Sequence, residues 1–238
     1  MKNPPETPSG ADAPNAEISP DKPATAPGAR PRMGRKARET REKLLTGALA
    51  ALCAEGVTGI TTRKIAEFAQ VNLGTLHYHF ESKDALLLAV LDYLGANMDR
   101  SLRMGVAGSR NLDECIGRAL LADWRHAEDD LTIQIVQYEL TLYALRSADA
   151  RWMARRQYND YIRAHVDAFA LHVDAEDPET MRNVERLAQL VMAGIDGIIL
   201  QELASPDMAR SRVSVDDLIH AMRADARKLG LIQTPDAT

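Results

Sequence analysis

Only two cysteines occur in the 238 residues, Cys53 and Cys115, far apart and each on the apolar face of a helical stretch. That argues against a disulfide-stapled scaffold and predicts reduced, buried thiols. The six histidines form no H-E-x-x-H pattern, and no C-x-x-C pair accompanies them, so no metal and no cofactor are expected. No apolar run reaches 18 residues, which predicts no membrane span. The N-terminus lacks the apolar core of a secretory signal, so a cytoplasmic protein is expected. No Gly-rich phosphate loop and no nucleophile–base pair is recognisable, so nothing supports an enzyme. Neither strand-like alternation nor an internal repeat interrupts the chain.

What is present is a soluble, globular composition, 45% hydrophobic and 26% charged, long enough for one or two domains with a good core. The net charge of −5 is unevenly spread. Between Arg30 and Lys83 ten basic residues face five acidic ones, so this stretch carries +5 and the rest of the chain −10. A basic head on an acidic body is expected when one domain alone meets phosphate. Seven of the first 29 residues are proline, and a segment so poor in apolar side chains is expected to be disordered. It ends in a basic arm, Arg30, Arg32, Arg35 and Lys36. The arm reads either as a solvated tail or as a strand that follows the phosphates or enters the minor groove.

The most informative stretch is Ile60 to Leu91. Thr61 or Thr62 can cap a short helix whose inward face is Ile65, Ala66 and Ala69. Gln70-Val71 makes a turn, with Val71 as its apolar plug. Asn72 caps a second short helix, Leu73 to His79, that buries Leu76 ahead of an inward Phe80. Ser82 caps the next, starting at Lys83. Preceded by a helix from about Lys36 to Glu55, closed by Gly56, this is helix-turn-helix geometry for a DNA major groove. Arg63, Leu73, Thr75, His77 and Tyr78 are candidates for reading bases; Thr61, Thr62, His79 and Lys83 are candidates for holding phosphates. Lys64 adds positive charge nearby. Gly74 leaves room for a nucleic-acid strand at a cost of roughly 1 kcal/mol relative to Ala.

TTRKIAEFAQVNLGTLHYHFESKDAL resembles the DNA-binding signature of the tetracycline-repressor (TetR) family of bacterial regulators. The pattern is T-x-R-x-I-A, an apolar turn residue, G-T-L, an aromatic or His, and H-F-x-S-K. The resemblance covers residues 38–91, about a quarter of the chain. Gln70 stands where the family commonly has Gly, Asn72 where it has Ser, and His77 where it usually has a phosphate-contacting Tyr. It implies an all-α protein of about nine helices: a three-helix head over 35–82, then a helical effector-binding and dimerisation domain over 83–230, with residues 231–238 as a flexible end.

The body reads as helices at about 111–127, 129–146, 149–173, 179–204 and 214–229, after a helix from Lys83 to about Leu102 that bridges from the head. Asn111, Pro178 and Ser214 are start signals, Pro206 and Gly230 stop signals. The 129–146 helix is apolar on nearly all sides and is expected at the middle of a bundle. A polar line, Gln134, Gln137 and Thr141, crosses it. The 179–204 helix and its successor carry more apolar surface than one core needs, which suits a homodimer interface built from Met192, Ile195, Ile199, Leu203, Leu218 and Met222, with Gly194 and Gly197 allowing close approach.

The resemblance also implies an effector cavity. Its candidate residues are Met98, Leu102, Trp124, Gln134, Tyr138, Tyr143, Trp152, Tyr161 and Asp196, with Glu139, Tyr158 and His165 as further polar or aromatic candidates. They suggest a mainly apolar pocket for a medium-sized, largely apolar or aromatic molecule. The expected function is a dimeric repressor of a palindromic DNA operator, released by that small molecule when the Lys83–Leu102 helix tilts. The alternatives are an activator or a DNA-organising protein without a ligand.

Overall fold

The computed structural model describes residues 34–232. Among them lie nine helices and no strand: α1 (Arg35–Gly59), α2 (Thr62–Phe68), α3 (Leu73–His79), α4 (Lys83–Val106), α5 (Leu112–Glu128), α6 (Leu131–Arg146), α7 (Arg151–Ala170), α8 (Pro178–Ala204) and α9 (Met208–Lys228). The all-α expectation holds. Seven helices open on a side chain that accepts a free N–H of the first turn: Thr61, Asn72, Ser82, Asn111, Asp130, Asp177 and Asp207. Pro178 follows Asp177 at the first helical position, where its missing N–H costs nothing. Gly56, at φ 69° and ψ 167°, breaks α1 in a conformation that a side chain resists.

Two apolar clusters form. In the head, Leu44, Ala48 and Leu52 of α1, Ile65 of α2 and Leu76 of α3 pack against Leu86, Leu87, Val90 and Leu91 of α4. Val136 and Leu140 of α6 complete this cluster. In the body, Met98 and Leu102 of α4 pack with Ile116 and Leu120 of α5, Phe169 of α7, Val184, Leu187 and Val191 of α8, and Val215 and Ile219 of α9. Helix α4 therefore belongs to both clusters, its first half to the head and its second to the body.

Several expectations need correcting. Helix α4 runs past Leu102 to Val106 because Gly105 lies directly against Ala122 of α5, where a side chain would not fit. Helix α9 starts six residues before Ser214: Pro206 ends α8, and Asp207 caps the next helix at once. Helix α6 is not enclosed, since Ile135, Leu142 and Leu145 are exposed. Cys53 is only partly buried, whereas Cys115 is fully so. By length and composition α8 is apolar enough to cross a membrane, but Asp196 and Glu202 interrupt its apolar run and one side of it is core. Leu231 and Ile232 pack on the body, so order extends past Gly230; residues 233–238 lie outside the described part.

Candidate DNA interface and the chamber in the body

The turn between α2 and α3 is closed by two backbone bonds, Val71 N–H to Ala66 O and Gln70 N–H to Glu67 O, both 3.0 Å. This is the Schellman arrangement, which requires a left-handed residue, and Gln70 occupies it at φ 51°. Ile65, Ala66, Ala69, Leu76 and Phe80 are buried, which turns the remaining residues of α3 outward. Leu73, Gly74 and His77 are exposed, and Tyr78 is 84% exposed. Asn72 Oδ1 accepts both the N–H of Thr75 (2.7 Å) and its hydroxyl (2.9 Å), so the cap fixes the Thr75 rotamer. A Cβ on Gly74 would meet only Asn72 Oδ1 at 3.3 Å; nothing in the fold itself demands glycine there.

At the edges of this surface Thr61, not Thr62, caps α2. Arg63 is exposed beside it and Lys83 opens α4, half-buried. The ring of His79 meets that of Tyr78 edge-on at 5.3 Å. Lys64 is bound to Glu55 at 2.5 Å, so the positive charge expected of it is largely cancelled. Arg35, the first residue of α1, pairs with Glu39 at 3.5 Å on an exposed face, a contact of little energetic weight. Arg30 and Arg32 lie outside the described residues.

The body holds a narrow chamber bounded by α4, α5, α6, α7 and α8. Met98, Asp123, Gln134, Tyr161, Ile195 and Asp196 line it, together with His126, Gln137, Met192 and Ile199. Its cavity volume is only about 20 Å³, room for a single water. Met98 and Tyr161 also line a larger outer pocket of about 300 Å³ between α4 and α7, to which Leu102 contributes. These two side chains are therefore the partition between the compartments.

A hydrogen-bonded chain runs along the chamber wall. The Thr141 hydroxyl donates to Gln157 Oε1 (2.9 Å), Gln157 Nε2 donates to the Tyr161 hydroxyl (3.0 Å), and the Tyr161 carbonyl faces His165 Nδ1 (2.9 Å). His165 Nε2 then meets Asp123 Oδ2 at 2.9 Å. His165 Nδ1 donates to the Tyr161 carbonyl, and beside an ionised Asp123 the Nε2 also carries a proton, which makes the pair an ion pair. Burial pushes His165 down, but the Asp123 carboxylate and the two hydrogen bonds outweigh it and hold its pKa above the ordinary value. Asp123 is 5% exposed, and its other oxygen, Oδ1, has no partner.

Across the chamber the Tyr138 hydroxyl donates to Asp196 Oδ1 at 3.3 Å. Burial raises the Asp196 carboxyl, with the hydroxyls of Tyr158 and Tyr138 opposing that shift. Burial, with the charge of Asp196, pushes the Tyr138 and Tyr158 hydroxyls up. Burial also lowers His126, keeping it neutral near pH 7.

Of the effector candidates, Met98, Gln134, Tyr161 and Asp196 line the chamber and Tyr138 bonds to Asp196. Three others fall elsewhere. Trp124 is sealed in the body core and lines neither compartment. Tyr143 reaches the head and donates to Asp84 Oδ1 at 2.6 Å. Trp152 is 55% exposed. Asp123 went unrecognised because its partner lies 42 residues away; the one local hint is a carboxylate between the apolar residues Ala122 and Trp124.

The dimer candidates need a similar correction. Met192, Ile195 and Ile199 point into the body and line the chamber, and Met222 is in the core. Leu203 is half-covered by the same core. Leu218 packs over Gly194, where a Cβ would come within 2.6 Å of it, whereas a Cβ on Gly197 would meet nothing. The outward face of α8 is instead Leu190, Ala193, Gly197 and Leu200, and α9 also exposes Val213.

Helix α6 joins chamber to head. Gln134, Gln137 and Tyr138 face the chamber side, and Val136 and Leu140 enter the head cluster. Glu139 Oε2 accepts the Val57 N–H at 3.1 Å just after the break in α1.

Two family models match the chain: the bacterial regulatory proteins of the tetR family over residues 44–90, and the tetracyclin repressor-like C-terminal domain over residues 117–225. The chain is 26% identical to the nicotine-responsive transcriptional repressor HdnoR of Paenarthrobacter nicotinovorans, over 77% of this chain and 93% of that one. It is 27% identical to the transcriptional regulator TtgR of Pseudomonas putida, over 72% and 84%. A solved tetR-family structure from Streptomyces coelicolor A3 superposes with a TM-score of 0.59 at 26% identity, over 76% of this chain and 97% of that one.

Proposed function

Because the chain belongs to the tetR family of DNA-binding transcriptional regulators, which are not enzymes, we propose that it is a cytoplasmic, homodimeric repressor released from a palindromic operator by a small molecule held in the body. The observation that carries this reading is the double membership of α4 and α6. Each helix has one segment or face at the chamber and another in the head cluster. The chamber is nearly filled as it stands, so a ligand must push Met98 on α4 and the Gln134–Tyr138 face of α6 outward. Both displacements reach the head cluster that holds α3, through Leu86 and Leu87 of α4 on one path and through the Glu139–Val57 bond to α1 on the other.

In a two-fold dimer the recognition helices must sit about 34–36 Å apart to enter successive major grooves, or farther if two dimers share one site. A tilt that changes the spacing weakens binding to a rigid duplex. The outward stripe of α8 with Val213 of α9 suits the subunit interface. On DNA, Arg63, Leu73, Thr75, His77 and Tyr78 are assigned to bases, with Asn72 and Gly74 allowing close approach. Thr61, Thr62, His79 and Lys83 are assigned to phosphates, and Arg30, Arg32 and Arg35 to the arm. The similarity to a repressor named for its response to nicotine supports ligand control.

Linkage provides the test. A ligand that prefers the DNA-free state by about a hundredfold supplies about 2.7 kcal/mol of coupling, and operator DNA must weaken ligand binding by the same factor. Equal ligand affinity with and without operator excludes a ligand-released repressor.

A further inference from the structure

The chamber has a definite charge, and that charge selects a ligand. Asp123 and His165 cancel each other as a buried ion pair, and Asp196 adds a carboxylate that only tyrosine hydroxyls accompany. No lysine or arginine lines the chamber, and His126 is neutral near pH 7. Asp123 lines the space with Oδ2 already bound to His165, so the oxygen left to offer is Oδ1, buried and without a partner. A buried carboxylate oxygen without a donor is costly. A ligand that brings an N–H removes that cost, and one that brings a positive charge also answers the excess acid. Tyr161 lines the chamber, and Tyr138 and Tyr158 bring their hydroxyls to Asp196 on its wall, an aromatic setting that suits a cation or an aromatic body.

We propose that the effector is an organic cation, a protonated amine on an aromatic or apolar body, whose N–H groups bond to Asp123 Oδ1 and Asp196 while its body lies in the outer pocket past Met98 and Tyr161. The proposal rests on the reading of the body as the effector site and replaces the largely apolar ligand expected from the sequence. The single-water volume of the chamber gives Met98 and Tyr161 their role. The flexible Met98 side chain and the Tyr161 ring move apart as the ammonium group enters, which couples charge recognition to the position of α4. The outer pocket is amphoteric, with four aspartates and three arginines on its walls, so discrimination by charge falls to the inner carboxylates.

The test is titration of the full-length protein by calorimetry with two charge series: 2-phenylethylamine, 2-phenylethanol and phenylacetate, and tryptamine, tryptophol and indole-3-acetate. In at least one series the ammonium compound should bind about tenfold or more tightly than its alcohol, and the carboxylate should bind least. Asp196→Asn, which keeps an acceptor for Tyr138, should remove most of that preference while the alcohol's affinity stays within about twofold. Asp123→Asn should do the same, with circular dichroism confirming its fold; should it fail to fold, Asp196→Asn alone decides. An alcohol or carboxylate that binds as tightly as the ammonium in both series, or no binding by either ammonium, overturns the proposal. Operator binding followed on the same samples separates the two readings. Neutral compounds that bind and release DNA leave the repressor standing without the cation, and ammonium compounds that bind with charge preference but leave DNA bound do the reverse.

Discussion

The two ends of this protein bury different chemistry. Every buried polar or charged side chain among the described residues lies in the body: Asp123, Gln134, Gln137, Thr141, Gln157, His165, Glu202 and Ser211. The head cluster buries none of its own. A dry, apolar core holds one shape, which a domain that presents a fixed surface to DNA requires. A core with charges inside is costly unless each is paired, and it tolerates the cost where the polar groups serve another purpose. Glu202 shows a structural purpose. It accepts the Asp207 N–H at 3.1 Å and the Ser211 hydroxyl at 2.5 Å, and so fixes the α8–α9 corner. Asp123 shows no such closure, since one oxygen remains open.

The sharpest way to break the comparison is to damage each core in its own currency. His165→Gln should cost about 3–5 kcal/mol in urea unfolding, because Asp123 is left buried and unpaired, and His165→Gln with Asp123→Asn should recover much of that. A strictly additive loss would show the pair to be uncoupled. Leu76→Ala in the head should cost about 2–5 kcal/mol by cavity formation, with no rescue from a polar change. The buried pair also has a pH signature that the head lacks. His165 holds its proton more tightly folded than unfolded, so its contribution is complete below about pH 6.5, the unfolded value, and is lost as pH rises through the folded value. The melting temperature should therefore fall from neutral toward alkaline pH, below the range where tyrosines ionise, and fall less in His165→Gln.

Next in size are the DNA contacts. Arg63→Ala should cost about 1–3 kcal/mol of operator binding and relax one base position. Lys83→Ala should weaken all sequences alike and lower the salt slope by about one unit. A change of sequence preference in Lys83→Ala but not in Arg63→Ala would reverse the two assignments.

Between the two regions stands Glu139. Its replacement by Gln removes a charge-assisted bond to Val57 and should cost about 1 kcal/mol. It should also speed amide exchange at Val57 and leave the chamber's ligand affinity unchanged. If exchange at Val57 is unaffected, α6 does not communicate through this contact. The smallest effect is expected at Gln70, which holds φ 51° with a side chain. Gln70→Gly should stabilise the head by about 0.5–1 kcal/mol, visible as a small rise in melting temperature with operator affinity retained.

These expectations also mark where reading the chain works. Asn72, Ser82, Asn111 and Pro178 are legible as helix starts because a cap or a first-turn proline acts within three residues of itself. Ser214 misled because it resembles a cap yet is half-buried inside α9, seven residues after the true one, Asp207. Met192, Ile195 and Ile199 were assigned to the wrong side of α8 because that helix is apolar around most of its circumference, and periodicity alone cannot rank two apolar faces.

The head can be read along the chain: caps, the Gln70-Val71 turn, the inward spacing of Ile65, Ala66, Leu76 and Phe80, and the outward residues left over. Those signals are local, each acting over a few residues, and the basic balance between Arg30 and Lys83 agrees with them. The body takes its arrangement from packing. That packing chose which face of α8 turns inward and brought Asp123 to His165 across 42 residues. It also set Tyr138 against Asp196 across 58 and placed α6 between chamber and head. The physical reason is that helices apolar on several sides take their rotation from the neighbours they pack against. The pairing of two buried charges likewise depends on that rotation, which no spacing within one helix records.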